Sequence, residues 1–303
     1  MRIQGLSPIV SAVSLLFYLA CAASLAAPHS LADTMFEAAN SADIAEQYDD
    51  AARKYKDVIV KFRESDPDNP FRLRAKARLA RVYILQGKFN EAEPIFSSLI
   101  LVCDRSKLDS IPELMIDLDD LSEAYWIMPK EKKYRYESLK RCVELRKRIN
   151  PNHPRLVPVY RDLAEYTLVC NNSDESITWI NKAMDMERKL LPVKQFELPR
   201  DLSFLASLYY VRRDYNKAQQ AAESGIALLR RFPSLKLLAT QLHTTLGRIY
   251  TAEHLYDKAN IEYQTALTFV DRSIPDGQAI YNRITEFSKT NSQERLKTSG
   301  NRH

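Results

Sequence analysis

The chain has 303 residues, with 44 Lys or Arg against 39 Asp or Glu and a formal charge of +5. Basic and acidic residues are interleaved along its length, which describes solvated helix faces and argues against a nucleic-acid footprint. There are only six glycines, and no segment sustains an apolar/polar alternation, so a β-sheet fold is not expected.

The first element is a short positive start at Met1-Arg2, an apolar run from Ile9 to Ala20, and small residues leading to Ser24-Leu25-Ala26 before Ala27. This is the build of a secretory signal peptide, expected to occupy residues 1–26 and to be removed. Two alternatives use the same segment. One is retention as an amino-terminal anchor. The other is lipidation at Cys21, although Tyr18 and Leu19 fit the usual lipidation pattern poorly. No later stretch approaches the ~20 apolar residues that a bilayer span needs.

A repeat begins next. Leu79, Leu121, Leu163 and Leu205 follow one another at 42 residues, and Leu246 comes 41 later. A small residue follows each (Ala80, Ser122, Ala164, Ala206, Gly247), and a tyrosine stands four after the leucine at Tyr83, Tyr125, Tyr209 and Tyr250, with Thr167 as the exception. A second block recurs in phase: Ala92, Phe96, Leu99; Ser138, Cys142, Leu145; Ser176, Ile180, Ala183; Ala218, Ala222, Gly225; Ala259, Tyr263, Ala266. In the third unit this block fits only after four extra residues around Pro129. An earlier copy runs from Ala38 through Ala51, Tyr55 and Val58, making six units. Spacings of i, i+1, i+4 place each block on one helix face, and small residues mark close helix crossings. Pro70, Pro112 and Pro154, and again Pro233 and Pro275, keep the 42-residue step and punctuate the first helices.

After the repeats, Ile280, Ile284 and Phe287 recur at i, i+4, i+7, predicting a capping helix over 276–289 with Asp276 as N-cap. Residues 290–303 are polar, lack apolar periodicity, and are expected to be disordered.

These blocks resemble the tetratricopeptide repeat (TPR), with its L-G-x2-Y and A-x3-F signatures. The excess length, Phe89-Asn90-Glu91-Ala92-Glu93-Pro94-Ile95-Phe96, and Pro151-Asn152-His153-Pro154 are similar to the longer kinesin-light-chain-type repeat. The resemblance covers residues 34–272. It implies an all-α, right-handed superhelical solenoid of about six helical hairpins plus the carboxy-terminal cap. Its function would be protein–protein interaction through a concave groove.

With Leu79 as position 7, the family lines its groove from positions 2, 5, 9 and 12 of each first helix, with position 6 beside them. Carried over, this implies Arg74, Arg78 and Arg81 in the second unit; Asp119, Glu123 and Trp126 in the third; Arg161, Glu165 and Leu168 in the fourth. The fifth supplies Arg200, Ser203, Ser207 and Tyr210, and the sixth Gln241, Thr244, Arg248 and Thr251. The carboxylate clamp of chaperone-binding members is not matched, because Asn40 is the only position-9 asparagine and Phe36 stands where its lysine belongs.

His29, His153, His243, His254 and His303 form no metal-binding spacing, and no phosphate loop or G-x-S-x-G elbow occurs. No catalytic residue, cofactor or metal is therefore expected. Cys103, Cys142 and Cys170 are an odd set for an exported chain, and Cys142 fills a core slot. The reading is an exported scaffold, periplasmic or extracellular, binding a protein or peptide and no nucleic acid. A membrane enters only through lipidated Cys21 or a retained signal segment, which would make it an anchored assembly factor. An enzyme using the groove as a cleft would need a cluster of strongly shifted pKa values there.

Overall fold

The computed structural model describes residues 30–62, 69–105, 111–127, 132–190 and 197–300. The expected signal segment 1–26 with Cys21, and the extra length around Pro129, lie outside them. Among the described residues every regular element is an α-helix. In chain order these are α1 (Leu31–Ile44), α2 (Tyr48–Lys61), α3 (Pro70–Leu85), α4 (Phe89–Arg105), α5 (Pro112–Ile127), α6 (Lys132–Ile149) and α7 (Leu156–Val169). Then follow α8 (Ser173–Leu190), α9 (Leu198–Val211), α10 (Tyr215–Leu229), α11 (Lys236–Ala252), α12 (Tyr256–Phe269) and α13 (Gly277–Gly300). The chain forms two compact units, one ending at Asp117 and one beginning at Leu118. Within them α1–α2, α3–α4, α7–α8, α9–α10 and α11–α12 pack as helical hairpins, and α2–α3, α6–α7, α8–α9, α10–α11 and α12–α13 pack one hairpin on the next. The fold is an all-α helical-hairpin repeat.

Local chemistry sets the helix starts. Ser30 and Asp33 form a reciprocal capping box, with the Asp33 amide donating to Ser30 Oγ at 3.2 Å and the Ser30 amide to Asp33 Oδ2 at 3.0 Å. The first helix thus begins at Leu31, ahead of the expected position 34. Asn69 caps α3 by accepting from the Arg72 amide at 3.2 Å, and Pro70 fills the first turn.

The hairpin turns repeat one geometry. Glu46, Gly87, Asn171, Arg213 and His254 have φ of 57°, 74°, 59°, 61° and 61°. The amide after each reaches back to the carbonyl five residues earlier: Gln47 to Ala42, Lys88 to Tyr83, Asn172 to Thr167, Asp214 to Tyr209 and Leu255 to Tyr250, at 2.8 to 3.0 Å. This left-handed cap satisfies carbonyls that the helix end would otherwise orphan. Only Gly87 adopts it without a Cβ penalty.

The repeating leucines and the small residues after them are all buried, as are the second-block residues. Cys142 is a buried free thiol whose pKa burial pushes up to about 12, and Cys170 is free and exposed. Gly247 marks the tightest crossing: a Cβ there would lie 2.6 Å from Cε1 of Tyr263. That ring is buried, and its hydroxyl is held 3.1 Å from Thr251 Oγ1. Gly247→Leu is therefore expected to cost at least ~1–3 kcal/mol in a denaturant melt. Exposed Gln241→Ala on the same helix should stay within ~0.5 kcal/mol, and equal losses would mean the crossing is misplaced.

The carboxy-terminal helix departs from expectation. Instead of ending near Lys289 and leaving a disordered tail, α13 continues to Gly300. Asn291 is the physical reason. It is fully buried, donates to Tyr256 O at 2.9 Å and Asn260 Oδ1 at 2.8 Å, and accepts from Thr251 Oγ1 at 2.8 Å.

Candidate functional site

In the first unit, the arginines placed on the groove stripe are turned to buried carboxylates. Arg74 and Arg78 both bind the buried Asp117, at 2.9 and 2.6 Å, and Arg81 binds the buried Asp43 at 2.9 Å. Arg74 also lies 4.4 Å from the Phe36 ring centroid. Burial raises the Asp117 pKa even against two guanidiniums. The expected basic stripe is thus consumed in cross-links between neighbouring first helices.

In the second unit, Asp119, Glu123 and Trp126 are similarly engaged. Arg146, fully buried, reaches Glu123 at 2.5 Å, Ser122 Oγ at 3.0 Å and the Arg155 carbonyl at 2.8 Å. Arg155 and His153 stand 3.2 and 3.5 Å from Asp119. The Trp126 indole donates to Asp162 at 2.8 Å, and Asp162 also takes Arg135 at 2.7 Å.

The remaining stripe converges. In the second unit, α7, α9, α11 and α13 enclose a groove of about 820 Å³. Helix α7 contributes Pro158, Arg161 and Glu165; α9 contributes Arg200, Ser203, Phe204 and Ser207; α11 contributes Gln241, Thr244 and Arg248. These are positions 2, 5, 6 and 9 of three consecutive first helices. Tyr210 stands beside them, its ring 4.4 Å from the Arg248 guanidinium. Sequence reasoning missed the fourth wall, made by Ile280, Arg283 and Phe287 of α13. The signal was present, since Pro275 is in phase with Pro233 and marks α13 as one more first helix.

Solved structures resemble this architecture. The apo form of RapI aligns with a TM-score of 0.51 at 12% identity, over 88% of this chain and 72% of that one. A Podosopora anserina protein described as a kinesin light chain with nearly identical TPR-like repeats gives 0.42 at 18%, over 67% and 96%. A tetratricopeptide repeat protein from Parabacteroides merdae ATCC 43184 gives 0.39 at 14%, over 86% and 98%. No protein-family model matches the sequence, and no curated protein does. At these identities the likeness concerns fold alone.

The groove floor carries shifted acids. Arg161 binds Asp201 through two contacts of 2.8 Å and also binds Glu187. Burial pushes Glu187 up to about 7, with Asp201 and Glu197 adding to the rise, and Asp201 is raised by burial as well. Both carboxylates are only 2% exposed and close onto the same guanidinium. Asp201 lines the groove and Glu187 does not, and the two share the Arg161 guanidinium in one ion-pair network, an arrangement that by itself perturbs carboxylate pKa values. Among the described residues no group of His, Cys, Asp and Glu could hold a metal, and no helix is long and apolar enough to cross a membrane.

The Glu187 shift has a pH consequence. Between its ordinary value of 4.5 and about 7 the folded chain holds a proton that the unfolded chain has released. Stability therefore falls as pH rises through this window, by on the order of 1–3 kcal/mol. His153, whose pKa burial lowers, acts in the opposite sense below 6.5. The contribution is read by difference: Glu187→Gln should flatten the decline between pH 5 and pH 8 in denaturant melts, and an unchanged slope would reassign it.

Proposed function

We propose that this chain is an exported, TPR-like, non-catalytic adaptor that binds a segment of another protein in the groove of its second unit. One observation carries the reading. Three consecutive first helices and α13 turn the same stripe into a single concavity, and Ser207 and Gln241 in its wall are exposed and outside any ion pair. Grooves of this size, mostly preformed and with a few convergent polar groups, are ordinary binding sites. The longer, kinesin-light-chain-like repeat type is supported by the steps of 41 or 42 residues from Glu46 to Gly87 and from Asn171 through Arg213 to His254.

Ser207 is exposed in the groove wall, so Ser207→Trp fills the concavity without entering the core. Peptides selected from a random display library on the full chain should lose binding to this variant while its melting curve stays unchanged. If every selected peptide binds both proteins equally, the groove is not the site.

Export rests on the amino-terminal pattern and is tested separately. Sequencing of the exported protein should start near Ala27. A start at modified Cys21 would make it the anchored assembly factor, and an intact Met1 would overturn both.

A further inference from the structure

The charges left unpaired in the groove are sorted by end. On α7, Arg161 is closed by Asp201 and Glu187, and Asp162 by Arg135 and Trp126. Glu165 is exposed and has no side-chain partner among the described residues. At the opposite wall, Arg248 meets rings rather than carboxylates: its guanidinium lies 4.4 Å from the Tyr210 centroid and 5.6 Å from that of Phe287. Rings cover a guanidinium's face and leave its in-plane N–H donors for a planar carboxylate. Exposed Arg283 stands one turn before Phe287 and likewise has no carboxylate partner among the described residues. Phe204 of α9, the helix between α7 and α11, gives an apolar centre, and Leu237 and Ile280 add apolar wall near the starts of α11 and α13.

We propose that the groove selects an extended, charge-polarised protein segment, with a basic residue beside Glu165, an apolar centre, and a carboxylate between Arg248 and Arg283. This deepens the peptide-binding reading above and rests on it. Charge complementarity sets the two ends, because a uniformly acidic segment would face Glu165 and a uniformly basic one would face the two arginines. An extended occupant follows from the wall chemistry. Its backbone N–H and C=O groups need partners; exposed Gln241 can donate and accept, and the Ser207 and Thr244 hydroxyls, whose protons go to the Ser203 and Thr240 carbonyls, can accept. Two interhelix steps of 8–10 Å each set a span of roughly five or six extended residues at ~3.3 Å apiece.

The test uses random heptapeptides displayed against the full chain, with hits required to lose binding on Ser207→Trp. The expected hits carry Lys or Arg near one end, Asp or Glu near the other, and apolar residues between. Glu165→Lys should weaken such a hit about tenfold or more, and changing the peptide's basic residue to Glu should restore it. Arg283→Glu should do the same at the acidic end, with Arg248→Gln as a milder second variant and circular dichroism checking that each folds. Groove-dependent hits with one sign of charge, or hits indifferent to both reversals, overturn the polarised segment and leave the binding groove standing. An absence of groove-dependent hits overturns the adaptor reading itself.

Discussion

Arg161→Ala is expected to destabilise the second unit by about 3–5 kcal/mol, because it leaves two buried carboxylates without their cation. Glu187 and Asp201 come from different helices, α8 and α9, so one guanidinium on α7 ties three helices together. The loss should shrink at pH 5, where the abandoned carboxylates take up protons, and grow toward pH 8. Arg212→Ala is the control. Arg212 pairs with Asp174 on the surface, with side chains 41% and 78% exposed, and such pairs contribute at most ~1 kcal/mol. Denaturant melts of both variants at two pH values decide the matter. Equal, pH-independent losses would mean that Arg161 acts by packing alone.

What the sequence discloses here depends on the kind of interaction. Leu163, Leu205 and Leu246, with their small neighbours, announce both helix phase and period, because burial of an apolar face leaves a 3.6-residue signature. The same phase places Arg161, Glu165, Ser207 and Arg248 on one stripe, and three first helices bring that stripe together. Charge burial leaves no such signature. Asp117, Asp201 and Glu187 look like any solvated helix acid, and only the folded chain reveals that they sit on inter-helix seams facing arginines. The separations are suggestive in hindsight: Arg161 to Asp201 is 40 residues and Arg74 to Asp117 is 43, close to one repeat. This is why the proposed basic stripe of Arg74, Arg78 and Arg81 is a set of cross-links, while Arg248, with aromatic rings for neighbours, keeps its donors.

Helix α13 gives the other large effect, and it too turns on buried polarity that a hydropathy pattern cannot register. Its apolar seam of Ile280, Ile284 and Phe287 ends by residue 287, yet Asn291 is buried one turn later among Thr251, Tyr256 and Asn260. Ending the chain after Leu296 keeps that clasp and should leave the melting temperature close to native. Ending it after Lys289 removes the three hydrogen bonds that the buried Asn291 makes with Thr251, Tyr256 and Asn260, at a cost of roughly 1–3 kcal/mol, or several degrees for a domain of this size. Ending it after Asp271 strips the seam from Tyr263 and opens the last hairpin to water. A terminal repeat without its cap loses both stability and solubility, so aggregation or a collapse of the melting transition is expected. The same deletion removes Ile280, Arg283 and Phe287 from the groove, so any soluble remnant should also fail to bind groove-dependent peptides. A chain ending at Lys289 that melts with the one ending at Leu296 would show that the Asn291 clasp contributes nothing. One ending at Asp271 that stays soluble, stable and peptide-competent would show that α13 neither caps the second unit nor walls its groove.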